Sequence, residues 1–185
     1  EGAKKVLEEA GWKDSDGDGI REKDGKKLVV KWLTYPSRQE LPLLAESAQA
    51  TLKDIGIEVD INCTADNNSI LEDPTAWDVY AMANVQAPTG DPEYWFTVFA
   101  TSDATKNSGK YSSAKLDELE AQLSKEFDKD KRAELAVQMQ QTILDDNAFV
   151  FCSFLKMSMI SRSNVTGYES HACDYYQVTA DLDIN

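Results

Sequence analysis

Apolar positions in the first sixty residues switch between two periods. Ala3, Val6, Leu7 and Ala10 recur at helical spacing, and Gly11 follows as a stop signal. Residues 28–34 are rich in β-branched and aromatic side chains and predict a strand. From 39 to 55, Leu41, Leu44, Ala45, Ala48, Leu52 and Ile55 share one helical face. Pro42 is tolerated in the first turn of that helix, and Gly56 closes it. Ile57, Val59, Ile61 and Cys63 then alternate with acidic and polar residues, the pattern of a half-buried strand.

Residues 77–83 are more uniformly apolar and predict a third strand, central in its sheet. A loop rich in Pro, Gly and Asn follows over 84–110, with a short helix near 94–99. Ser112 or Ser113 caps a helix whose face is Leu116, Leu119, Leu123 and Phe127. Asp128 or Asp130 starts another, with Leu135, Met139, Ile143 and Leu144 on its face. Residues 149–155 and 157–161 read as buried strands, and 174–182 as a last strand. The alternation predicts an α/β domain with a mixed sheet flanked by helices.

The 185 residues carry 33 acidic against 19 basic side chains, a net charge of −14. Such a surface repels nucleic-acid backbones and anionic lipid, and suits either solubility alone or capture of cations and amines. Three cysteines without a CxxC form no disulfide framework, and Cys152, inside an apolar run, is expected to be a buried thiol. No apolar stretch reaches membrane-spanning length. The chain opens inside a helical pattern without a cap, as a segment of a longer chain would.

Asp14, Asp16 and Asp18 with Gly19 match positions 1, 3, 5 and 6 of a calcium loop, to which Ile20 adds a carbonyl and Glu22 stands at position 9. Position 12 is Gly25, so the loop is incomplete; the alternative is a solvated Asp/Gly turn. His171, the only histidine, lies beside Cys173 and is a candidate ligand for a borderline metal such as nickel. There is no G-x-S-x-G elbow, P-loop or G-x-G-x-x-G, which leaves no catalytic constellation and argues against an enzyme. The loop after residue 83 presents Asn84, Gln86, Thr89, Asp91, Tyr94 and Trp95 just beyond a strand end, where open α/β sheets bind ligands. Asp91 suits an ammonium group or cation, with Tyr94 or Trp95 as a cation–π wall, unless the two rings only cover the core.

The run Ala3 to Trp12, followed by Asp16-Gly17-Asp18-Gly19-Ile20-Arg21-Glu22-Lys23-Asp24-Gly25, resembles the "LL-x-EAGW … DGDGIRE-x-DG" stretch of the family 5 solute-binding proteins of ABC importers. Leu52-Lys53-Asp54-Ile55-Gly56-Ile57, Trp77-Asp78-Val79, Gly90-Asp91-Pro92, Tyr111-Ser112-Ser113, Arg132 and Asn164-Val165-Thr166-Gly167-Tyr168 continue the series in order. The resemblance implies part of a two-lobed periplasmic-binding-protein-like clamshell. Residues 1–156 would belong to the C-terminal ligand-binding lobe, and 157–185 would return towards the N-terminal lobe. It further implies a monomer outside the cytoplasm, periplasmic or held at the surface as a lipoprotein, that passes a small-molecule or metal-chelate solute to a membrane permease. Peptide-binding relatives place an Asp against the peptide amine, and Asp91 matches that motif, although Asn84 or Val85 stands where an aromatic is common. The ending, from Ala136 through Met157-Ser158-Met159 to Asp174-Tyr175-Tyr176, resembles the nickel type most. The expected solute is nickel as a chelate, the alternative a di- or oligopeptide. A calcium-stabilised structural module is the competing reading from another class.

Overall fold

The computed structural model describes residues 1–156, 158–169 and 178–185, which form two compact units, Glu1–Asn84 and Val85–Asn185. These are bodies within the chain, a different division from the lobe assignment at residue 156.

In the first unit, α1 (Gly2–Glu9) leads through the acidic loop into a hairpin of β1 (Glu22–Lys23) and β2 (Lys26–Lys27). β3 (Val29–Thr34), α2 (Glu40–Lys53) and β4 (Glu58–Cys63) form a parallel strand–helix–strand unit, and α3 (Asn67–Leu71) leads on to β5 (Val79–Tyr80). β3 is the middle strand, parallel to β4 on one side and β5 on the other. Leu33, Leu41, Ala45, Val59 and Ala81 are the buried apolar centre where α2 covers the sheet.

Residues 77–83 therefore do not supply the central strand. Asp78 starts the β3 pairing from both sides: its amide donates to the Lys31 carbonyl at 2.9 Å and its carboxylate accepts the Lys31 amide at 2.8 Å. Only Val79 and Tyr80 form the ladder, at the sheet edge among the described residues. The apolar character of this segment serves ring packing, with Trp77 edge-on to Tyr80 at 6.3 Å.

Arg21 ties the other end of this unit together. Its side chain donates to the carbonyls of Ile55 and Trp12, each at 2.9 Å, and pairs with Glu8 at 3.1 Å. It lies so close to Gly56 that a Cβ there would stand 2.7 Å from Arg21 Cγ, and φ at Gly56 is +84°. Glycine is required at that position on both counts.

In the second unit, α4 (Glu93–Trp95) runs into a π-helical turn (Phe96–Ala100), followed by α5 (Ala114–Leu123) and α6 (Lys129–Asp145). The Ser113 hydroxyl accepts the Leu116 amide, and Asp128 accepts the amides of Asp130 and Lys131, so each helix starts at an expected cap. Leu116, Leu119 and Leu123 meet Ala136, Met139 and Ile143 in the core. Phe127 is 91% exposed, because α5 ends at Leu123 and the Phe127 amide turns back onto the Glu126 carboxylate. Leu144 is also exposed, one residue past Ile143 and so about 100° off the buried stripe.

The expected buried strands at 149–155 and 157–161 do not form among the described residues, and Val150, Phe154 and Ile160 are exposed. Cys152 is an exposed thiol, not a buried one. The alternation still has a use: Phe149 and Phe151 stack on each other, 6.2 Å apart, and both face Trp95 while Val150 points out. The last pairing is β6 (Val165–Thr166) against β7 (Asp183–Ile184). In the predicted strand 174–182, residues 174–177 lie outside the described set and 178–182 are not in a strand.

Candidate functional site

The acidic loop folds as a set of side-chain-to-backbone turns. Asp14 accepts the amides of Gly17 (2.8 Å) and Gly19 (3.0 Å), Asp16 that of Asp18 (3.1 Å), and Asp18 that of Ile20 (2.9 Å). Carboxylate oxygens of Asp14, Asp16 and Asp18 lie within 4.8 Å of one another, all exposed. Glu22 accepts the Ser15 amide at 2.6 Å through one oxygen, and its other oxygen is buried without a partner. The sequence missed Lys27, whose ammonium hydrogen-bonds Asp18 and stands 3.8 Å from Asp16. That bond, foremost, holds the Asp18 carboxyl below the usual carboxylate range. Lys27 thus supplies a cation beside two of the three carboxylates.

Asp91 has a specific partner. Arg132 Nη2 donates to both its oxygens, at 2.7 and 2.8 Å, and to Glu93 at 2.8 Å. Arg132 Nη1 donates to the carbonyls of Leu123 (2.6 Å) and Glu126 (2.7 Å), so one guanidinium pins the Gly90-Asp91-Pro92 segment to the turn between α5 and α6. The Arg132 side chain is only 15% exposed. Burial pushes the Asp91 carboxyl up, but the Glu93 amide and the Arg132 guanidinium outweigh it and hold the carboxyl below its ordinary value.

Trp95, 9% exposed, sits among Phe96, Phe99, Phe149 and Phe151 at centroid distances of 5.2 to 6.0 Å. It is a core ring; Tyr94 is the aromatic left exposed. Gln86 and Thr89 are exposed in the same unit, and Asn84 is exposed at the end of the first unit. His171, the sequence's candidate metal ligand, lies outside the described residues, as does Cys173.

The sheet of the first unit adds residues that the sequence did not single out. The chain leaves β3 for β4 on one side and returns to β5 on the other, so β3 and β5 flank a topological switch point. Tyr35 directly follows β3 and Tyr80 ends β5, with ring centroids 6.3 Å apart. Asn67 Nδ2 donates to the Tyr80 hydroxyl at 2.9 Å, and the Ala83 amide donates to the Tyr35 hydroxyl at 3.2 Å. Each phenol is thus held as an acceptor, and among the described residues neither donates to a protein group. Burial, then the neighbouring Tyr35, raise the Tyr80 phenol above its ordinary value against the opposing Asn67 bond, so it stays protonated near neutrality. A cavity of about 700 Å³ lies elsewhere, between α1, the acidic loop and the residues preceding β4. Its walls are the salt-bridged surroundings of Arg21, at the amino end of the strands, and they serve the junction described above.

Comparison with known proteins places these features in a family context. The family model for bacterial extracellular solute-binding proteins, family 5 Middle, matches residues 1–107. The oligopeptide-binding protein AppA of Bacillus subtilis is 31% identical over 173 residues, covering 91% of this chain and 32% of its own. The nickel-binding protein NikA of Staphylococcus aureus is 28% identical over 142 residues, covering 77% of this chain and 29% of its own. The crystal structure of the nickel ABC transporter from Bacillus halodurans superposes with a TM-score of 0.74 at 28% identity, over 98% of this chain and 38% of that one. The α/β fold read from the sequence is the fold of these proteins, and the chain spans about a third of the length of the curated relatives it matches.

Proposed function

The chain belongs to the bacterial extracellular solute-binding proteins of family 5, and from that premise we propose that it is part of the binding component of an ABC importer that takes up nickel as a chelate with a small organic molecule. The protein would hold this solute outside the cytoplasm and hand it to a membrane permease, with no reaction of its own. Among the described residues no helix is long and apolar enough to cross a membrane.

The observation that carries the choice of solute is the Arg132 contact. Asp91, the carboxylate placed to receive a peptide amine, already shares the Arg132 guanidinium with Glu93, which weakens its pull on a further cation without filling its acceptor sites. The nickel transporter of Bacillus halodurans supports the same choice, sharing the fold over nearly the whole chain. The likeness to AppA favours a di- or oligopeptide as the second reading, with recognition of the amine then falling to a group other than Asp91.

Calorimetric titration of the complete protein with nickel, nickel plus L-histidine, and a dipeptide pool tests the proposal. Heat of binding with nickel–histidine and none with dipeptides is expected; the reverse result replaces nickel by peptide, and silence from all three removes both solutes.

A further inference from the structure

We infer that the carboxyl ends of β3 and β5 carry a carboxylate subsite, in which Tyr35 and Tyr80 donate hydrogen bonds from their phenols to carboxylate oxygens of the solute. The inference rests on the reading that the protein binds a solute, but not on which of the two solutes it is.

Three observations combine. The position is the switch point of a parallel sheet, the place in open α/β sheets where ligands bind, and the chain after β5 runs on beside the end of β3 to bring the Ala83 amide to Tyr35. The two rings are neighbours, and Trp77 packs edge-on against Tyr80, so two aromatic rings brace it. The hydrogen bonding is also one-sided. A phenol can accept and donate; the Ala83 backbone amide fills the acceptor role of Tyr35, and the Asn67 amide fills that of Tyr80. What each has left to offer is a donor, and a donor selects an acceptor on the ligand.

The electrostatics narrow the ligand further. No Lys or Arg hydrogen-bonds either tyrosine among the described residues. The chain as a whole carries a charge of −14, which repels a bare carboxylate. The subsite therefore fits a carboxylate that brings its own countercharge, either a coordinated metal cation or an ammonium group in the same molecule. A nickel–amino-acid chelate and a zwitterionic peptide are the two sources of that one chemistry.

The test compares carboxylates with their amides in the complete protein. Affinities are measured for nickel with L-histidine against nickel with L-histidinamide, and for a dipeptide against its C-terminal amide. The solute that binds identifies the source. Its amide is expected to bind at least about ten-fold more weakly, the worth of a hydrogen bond to a charged group. Tyr80→Phe is expected to cost a similar factor and to shrink the difference between acid and amide, with only a small drop in melting temperature from the lost Asn67 side-chain bond. Tyr35→Phe leaves the Ala83 amide unpartnered and can lower stability as well, so the amide comparison in the wild type stands as the measurement that needs no variant. An amide bound as tightly as its acid, or wild-type affinity in Tyr80→Phe, overturns the subsite while leaving the solute-binding role intact. A wild-type protein that binds neither class overturns both.

Discussion

Arg132 and Asp91 face each other through two hydrogen bonds of 2.7 and 2.8 Å, across 41 residues of sequence. The same guanidinium holds Glu93 and two backbone carbonyls at the end of α5. Removing it leaves two carboxylates side by side and two carbonyls without their donor. Arg132→Met is expected to cost about 2–3 kcal/mol, below the range for fully buried pairs because Asp91 and Glu93 are partly solvated. Urea unfolding of the variant checks this; a loss under about 0.5 kcal/mol contradicts it.

The Asp91 pairing also sets a pH dependence. The carboxyl is held below the ordinary value of about 3.9, so the unfolded chain takes up its proton at a higher pH than the folded one. The contribution is complete above that unfolded value and is lost as pH falls through the lower, folded one. Asp91→Asn should be destabilised at neutral pH and should flatten the decline of stability between about pH 5 and 3. Urea midpoints of wild type and variant across that range decide it, and parallel curves contradict the account.

Trp95 was a candidate ligand wall, and the structure makes it a core ring. Trp95→Ala is expected to cost about 3–5 kcal/mol, the range for deleting a large buried aromatic. Phe127→Ser, on a side chain that is almost wholly exposed, is expected to stay within about 0.5 kcal/mol of wild type. Melting curves of the two variants should therefore separate widely.

Lys27 supplies the countercharge in the acidic loop. Millimolar calcium is expected to leave the melting temperature of the wild type unchanged. Lys27→Met removes the internal cation and should make the melting temperature respond to calcium. A calcium-dependent rise in the wild type would show that a metal displaces Lys27.

Gly56→Ala meets both a left-handed backbone and the Arg21 side chain. It is expected to cost about 1–3 kcal/mol. Arg21→Ala in the same chain removes the steric part, so the double variant should lose less than the sum of the two.

Local signals in the sequence carried most of the helices. Ser113 and Asp128 cap where their side chains can reach the first free amides, and the apolar spacing of Leu116, Leu119 and Leu123 sets the buried face. Strand order was not legible, because uniform apolarity at 77–83 looks the same whether a segment is central or packs its rings at an edge. The apolar stretch around Val150 was misread for a related reason: hydrophobicity announces that a segment needs a cover, and says nothing of what covers it. In the candidate site, the clustering of Asp14, Asp16 and Asp18 follows from their spacing alone. Lys27 and Arg132 reach their carboxylates only through the fold, from 9 and 41 residues away. Tyr35 and Tyr80 become neighbours only once β3 and β5 are known to pair.

The most direct test of the central claim is retention of solute. The complete protein is incubated with equimolar nickel and L-histidine alongside a dipeptide pool, passed through gel filtration, and its bound metal and organic content measured by mass spectrometry. The account predicts that nickel and histidine elute together with the protein near stoichiometric amounts and that dipeptides do not. Protein that emerges free of nickel while carrying dipeptides would contradict it.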